Sequence, residues 1–187
     1  VGVVSLACLL RDGHQVVGID PVRSKIDDLS QGRTPIQEPQ VAALISAGHA
    51  AGRLRATIDP AEGIHDSEML WLCVGTPSRQ DGVINLDFLS RAIQDIGKAL
   101  RKVKTKPLIV IRSTVLPGTT QNKLVPVLEN ASGMSVGRDI HVVYHPEFLR
   151  EGSAVNDFDD PPKIVVGELT ERTADRLLAL YKNCQAP

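Results

Sequence analysis

The sequence predicts a doubly wound α/β fold, a parallel sheet with helices on both faces. Short apolar runs alternate with longer amphipathic stretches along the whole chain, which is the rhythm of repeated strand-helix units. Several of these runs, "MLWLCV" and "LIVIR" among them, are apolar almost throughout, as strands covered on both faces require. No internal repeat or low-complexity linker interrupts the pattern, so parallel strands joined by helical crossovers are the expected architecture.

In chain order, the apolar stretch at 3–12 is read as a helix that stops at Gly13, and "QVVGID" at 15–20 as a strand. A helix over 22–31 ends at Gly32, and a second, over 39–50, has Pro39 near its first turn. Strands follow at 54–59 and 69–74. Asn85 is placed to cap a helix over 86–103. The strand at 108–112 leads through a Pro117-Gly118 turn into a helix over 119–131, with Thr119 or Thr120 as its cap. The last elements are strands at 140–145 and 163–168 and a helix over 170–183 capped by Thr170. The chain opens "VG" and enters a helix directly. A nucleotide-binding unit normally begins strand, Gly-rich turn, helix, so the expectation is that a first strand and the start of that turn precede Val1.

Composition narrows the function classes. The 187 residues carry 21 basic and 22 acidic side chains, a formal charge of 21 − 22 = −1, and 42% are hydrophobic. That balance argues against a nucleic-acid or polybasic membrane surface. No apolar run is long enough to cross a bilayer, and the chain reads as soluble and cytoplasmic. Cys8, Cys73 and Cys184 are widely spaced and form neither a disulfide framework nor a metal motif. No metal is expected.

Four strand ends carry polar residues that could do chemistry. Asp20 closes the second apolar run before Pro21. There it could accept hydrogen bonds from adenosine ribose hydroxyls and repel a 2′-phosphate, favouring NAD over NADP, or it could simply cap a helix. Lys25 could lean over the same ribose, although an exposed lysine is more often only solvated. "CVGTP" offers Gly75 for close backbone approach and the Thr76 hydroxyl; "RSTVLPGTT" leaves Ser113 and Thr114 at a strand end. Ligands of open α/β sheets bind at this carboxyl edge. "HPEFLREG" would reach the same edge. A helical turn starting at Pro146 would set Glu147 and Glu151 on one side, and acids in a first turn suit any helix. His145 is a further candidate base, but a strand-end histidine is more often a hydrogen-bonded turn residue.

Taken in order, "VGVVSLACLLRDGHQVVGIDPVRSKIDDLSQGRTPIQEP", "LCVGTPSRQDG", "IRSTVLPGTT" and "HPEFLREGSAVNDFDDPPKIVVGE" resemble the NAD-dependent nucleotide-sugar 6-dehydrogenases, the UDP-glucose and GDP-mannose dehydrogenase family. The resemblance spans essentially the whole chain, and "DDPPKIVVGE" is more similar to the GDP-mannose branch. It implies that 1–187 is a Rossmann-like NAD-binding N-terminal domain. The family oxidises the C6 alcohol of a sugar nucleotide to a carboxylate with two NAD, through a cysteine thioester.

By motif, the resemblance makes Val1 and Gly2 the tail of the pyrophosphate loop and assigns Asp20 and Lys25 to the ribose. Thr76 and Thr114 would touch the cofactor, and Glu147 would assist thioester hydrolysis, a role suited to a carboxylate in a partly dry cleft. Leu149, Arg150 and Glu151 would lie along the sugar nucleotide. Two departures stand out: His145 replaces the usual Asn, and "EPQV" stands where "EPGL" is common. The family's nucleophilic cysteine lies in a "GGxCxPKD" context that none of the three cysteines has. The resemblance thus implies a central helix, a C-terminal domain and a homodimer or higher homo-oligomer in the full-length protein, and no turnover by this stretch alone. A simple hydroxy-acid dehydrogenase and a stand-alone nucleotide-binding module are the other readings.

Overall fold

A computed structural model describes every residue except 183 and 185. The chain divides into two compact units, one of Val1–Gly63, Phe148–Lys163 and Cys184–Pro187, the other of Ile64–Glu147 and Ile164–Asn183.

The first unit is built on a parallel strand pair, β1 (Val16–Ile19) and β2 (Leu54–Thr57), in register from Val16 opposite Leu54 to Ile19 opposite Thr57. Helix α1 (Gly2–Arg11) is apolar on most of its surface and buries Val4, Leu6, Ala7, Cys8 and Leu10. These join Leu29 of α2 (Arg23–Ser30), Val41 and Ile45 of α3 (Val41–Ala50), Leu54, and Ala154 and Val155 of α7 (Ala154–Asp159) in one core. Gly48 lets α1 and α3 meet, because a Cβ there would stand 2.8 Å from the Leu10 side chain.

The tripeptide Ile-Asp-Pro begins on the last residue of β1 and recurs directly after β2, and both aspartates turn the chain alike. Asp20 Oδ1 accepts the Val22 N–H at 2.9 Å, and Asp59 Oδ1 accepts the Ala61 N–H at 2.8 Å, the latter within the first turn of α4 (Pro60–Ile64). The α7 N-terminus is held from far along the chain, where the Glu38 carboxylate accepts the N–H groups of Gly152 and Ala154, each at 3.0 Å. Unpaired first-turn amides and the helix dipole both favour an acid there.

The second unit carries four strands in the order β3 (Met69–Leu72), β4 (Leu108–Ile111), β5 (His141–Tyr144), β6 (Gly167–Glu168). β3, β4 and β5 are parallel, and all four residues of β4 are buried, as expected of a strand inside a parallel sheet. Helix α5 (Asp87–Leu100) buries Leu89, Ile93, Gly97 and Leu100 at helical spacing. It lies so close to α6 (Val125–Ser132) that a Cβ on Gly97 would stand 2.6 Å from Ala131 Cβ. Leu108, Val110 and Val143 share a core with Ala174 and with Leu177 of α8 (Asp175–Leu178).

Several expectations change. β6 is two residues long and antiparallel to β5, not a parallel strand over 163–168. Val165 instead spends its carbonyl on His145. The helix before α6 opens as a π turn, Thr120–Leu124, in which Val125 donates to the Thr120 carbonyl. Pro126 has no N–H to close an ordinary turn, and a π widening accommodates it. Neither threonine caps that helix with its side chain. Asn85 does turn the chain into α5, accepting the Asp87 N–H at 2.8 Å. The final helix covers only 175–178 with a 3₁₀ turn at Ala179–Tyr181, so Thr170 is not its cap, and residue 183 lies outside the described residues. No helix starts at Pro146; regular helix resumes at Ala154, and α4 and α7 are additional.

Candidate functional site

In the second unit, the pairing of Leu72 with Ile111 and of Ile111 with Tyr144 brings three strand ends level. Cys73, Arg112 and His145 are the next residues. The Arg112 and Ser113 N–H groups both donate to the Leu72 carbonyl, at 2.9 and 3.0 Å, and the His145 N–H donates to the Ile111 carbonyl at 2.9 Å. Backbone bonds therefore continue past the strands and fix where each loop departs. Thr76 Oγ1 donates to the Thr114 carbonyl at 2.8 Å, which ties two of the predicted residues together. Gly75 has open space where a Cβ would lie. Glu147, two residues beyond His145, is partly buried.

Below the loops lies a buried polar and aromatic cluster. Arg112 is 4% exposed, lies 4.9 Å over the Trp71 ring and reaches the Tyr181 hydroxyl at 3.5 Å, while its Nε has no hydrogen-bond partner among the described residues. His145 is 3% exposed. Its Nδ1 is 2.9 Å from the Val165 carbonyl, its Nε2 is 2.7 Å from the Tyr181 hydroxyl, and its ring meets those of Trp71 and Tyr181 edge-on. Burial pushes the imidazole down to about 4, with Arg112 pushing the same way and the Val165 bond opposing. A neutral ring fits those partners in one tautomer: the carbonyl can only accept, so Nδ1 carries the hydrogen and Nε2 receives that of Tyr181. Burial likewise raises the Cys73 thiol, which Arg112 partly offsets.

In the first unit, Asp20 is one residue beyond β1. Its Oδ2 accepts from Lys25 Nζ at 3.0 Å, so the two predicted ribose residues form an ion pair with the Asp20 side chain 31% exposed. Val1 is the residue before α1; its carbonyl accepts the Ser5 N–H, and no side chain caps the amides that begin at Gly2. Uncapped first-turn amides suit a phosphate. Leu149 packs on the core of this unit, and Glu151 is exposed.

Arg150 is held along its length by Asp157. Its N–H, Nε and Nη2 donate to that carboxylate at 2.8, 3.2 and 2.6 Å, and Ser153 adds a fourth donor at 3.1 Å. The Arg150 guanidinium first, then its backbone N–H, holds the Asp157 carboxyl well below the usual range. A pocket lined by Phe148, Arg150, Asp157, Asp160 and Pro162 opens beside this pair. The expected helical pairing of Glu147 with Glu151 does not occur, since 145–150 is irregular: the amide of Arg150 is spent on Asp157 instead of on a helical carbonyl. Asp157, Arg112 and Tyr181 were not legible as site residues. Asp157 lay two residues before the "DD" of "DDPPKIVVGE", a stretch that carried only the family resemblance, and Tyr181 in a stretch read only as helix.

A family profile described as the NAD binding domain of the UDP-glucose/GDP-mannose dehydrogenase family matches residues 1–185. The chain belongs to that family. The GDP-mannose 6-dehydrogenase of Pseudomonas putida is 46% identical over all 187 residues, and the chain spans 43% of its length. The UDP-glucose 6-dehydrogenase of Haloferax volcanii is 40% identical over 181 residues, 97% of this chain and 42% of that protein. Among solved structures, a ternary complex of GDP-mannose dehydrogenase from Pseudomonas aeruginosa superposes with a TM-score of 0.97 at 42% identity, covering 100% of this chain and 43% of that one. The dehydrogenase NAD-binding domain is thus a Rossmann-like α/β fold, and NAD is its cofactor. In the first unit, the part-exposed Asp20 carboxylate and the uncapped start of α1 suit the ribose and phosphate chemistry of that dinucleotide. Among the described residues, no group of three or more His, Cys, Asp or Glu could hold a metal ion, and no helix is long and apolar enough to cross a membrane.

Proposed function

We propose that this chain is the N-terminal, NAD-binding part of a cytoplasmic GDP-mannose 6-dehydrogenase. The observation that carries the reading is the 46% identity to a GDP-mannose 6-dehydrogenase along the full 187 residues, against 40% for a UDP-glucose 6-dehydrogenase. The chain spans 43% of the former. In this reading a first strand and the start of the glycine loop precede Val1, and a central helix and C-terminal domain follow and support a homodimer or larger homo-oligomer.

Each residue has a role with a physical basis. The first amides of α1, from Gly2 behind Val1, hold the pyrophosphate. Asp20 accepts from the adenosine ribose hydroxyls, and Lys25 keeps that carboxylate oriented. Thr76 and Thr114, tied by their hydrogen bond, line the cofactor side of the strand ends, with Thr114 near the reacting water. NAD supplies the hydride acceptor for C6. Glu147 takes a proton from the water that attacks the thioester carbonyl; the thiolate leaves and the carboxylate product forms. Leu149, Arg150 and Glu151 line the sugar nucleotide, with Arg150 pre-set by Asp157. The nucleophilic cysteine belongs to a later segment, so residues 1–187 alone do not turn over.

The test is NADH formation by the full-length protein with GDP-mannose and with UDP-glucose. GDP-mannose is expected to support two NADH per sugar. UDP-glucose as the better substrate would move the protein to the other branch, and no NADH with either would sink the assignment.

A further inference from the structure

We propose that Tyr181 is a positioning residue for Glu147, acting through the imidazole of His145; this rests on the reading above, in which Glu147 activates the hydrolytic water. His145 is clamped at both ring nitrogens, by the Val165 carbonyl at 2.9 Å and the Tyr181 hydroxyl at 2.7 Å, so its ring cannot rotate without breaking two partly buried hydrogen bonds. Its backbone is held as well, through its N–H to Ile111. Pro146 follows, with φ fixed by its ring, and it restricts His145 to extended conformations. The only residue between the clamp and Glu147 is therefore the stiffest one available. The orientation of the imidazole passes to the Glu147 backbone with little slack.

The hydrogen order makes Tyr181 the controlling member. Arg112 donates to the Tyr181 oxygen at 3.5 Å, which turns the phenolic hydrogen toward His145. Arg112 directly precedes Ser113 and Thr114, so one cluster underlies two of the three loops. Tyr181 comes from the 3₁₀ turn Ala179–Tyr181 at the far end of the sequence. That segment then has a task beyond closing the core: it sets the carboxylate that must meet the water. A displacement of about 1 Å in such a group can slow a step by roughly a hundredfold, and a single lost hydrogen bond is expected to do less.

The test uses the full-length enzyme and Tyr181→Phe, which removes one oxygen and keeps the ring. The expected result is a fall in kcat of about tenfold, with KM for NAD and sugar nucleotide within about twofold. Rapid mixing should show a burst of up to two NADH per site before a slower steady rate, because both hydride transfers precede hydrolysis. His145→Gln, whose side chain can still accept from Tyr181, should retain more activity than His145→Ala. Ring-nitrogen NMR of the wild type should show His145 as the neutral Nδ1–H tautomer. An active wild type with an unaffected Tyr181→Phe variant, a loss without a burst, or the Nε2–H tautomer would each overturn the positioning role while leaving the functional reading intact. A wild type inactive on every sugar nucleotide would remove both.

Discussion

His145 stands where the family resemblance led to an expected Asn, and burial gives its imidazole a thermodynamic signature. Its folded value is pushed down to about 4 from the ordinary 6.5. The unfolded chain therefore takes up a proton between those values while the folded chain does not. Stability contributed by the neutral ring is complete above about pH 6.5, is lost as pH falls, and levels off below about 4. The loss amounts to about 3 kcal/mol over the whole window. Urea unfolding of wild type and His145→Gln at neutral pH and near pH 4.5 should show the wild type losing about 2 kcal/mol more than the variant; equal losses would contradict the buried neutral ring. At this scale the sequence was informative about residue type and silent about partners. Asp20, Thr76 and Thr114 sit at strand ends where loops were expected. The carboxylate that fixes Arg150 lies seven residues on, and the hydroxyl that fixes His145 lies 36 residues on, at the end of a different element.

Among the elements, α5 and α6 are in close approach at Gly97, where an added Cβ meets Ala131 Cβ at 2.6 Å and the Ser132 backbone nitrogen at 3.1 Å. Backbone cannot swing aside as a side chain can. Gly97→Ala gains about 1 kcal/mol in helix propensity but must force the helices apart, at a cost of about 1 to 3 kcal/mol. The expected outcome is a net loss of up to about 2 kcal/mol, read as a lower urea midpoint; a higher midpoint would mean that α6 yields freely. The paired strands β1 to β5 were legible because apolar runs of four to six residues have few alternatives in an α/β chain. Where reading failed, a distant partner had taken the local hydrogen bonds. "KIVVGE" pairs only through Gly167 and Glu168. "PEFLREG" does not coil because Asp157 takes the Arg150 amide and Glu38, more than a hundred residues away, draws the helix start to Ala154.

Across the whole molecule, family and cofactor follow from motif order and from similarity along the entire chain, which spans 43% of the length of its Pseudomonas putida relative. In the proposed reading the chain contributes acceptors and donors for a dinucleotide and a carboxylate for water. Its repeated Ile-Asp-Pro endings give a way to watch the first of these. Asp20 and Asp59 follow neighbouring parallel strands, sit in identical tripeptides and accept the same kind of turn hydrogen bond, yet among the described residues Asp20 alone of the two pairs with a lysine, and the proposed ribose contact falls on Asp20. Asp59 is thus an internal reference carried by the same molecule. In a carboxyl-carbon NMR titration with NAD, the Asp20 signal should move while that of Asp59 stays still. Their difference separates ribose contact from any general response to binding, and joint movement of the two would place the ribose elsewhere.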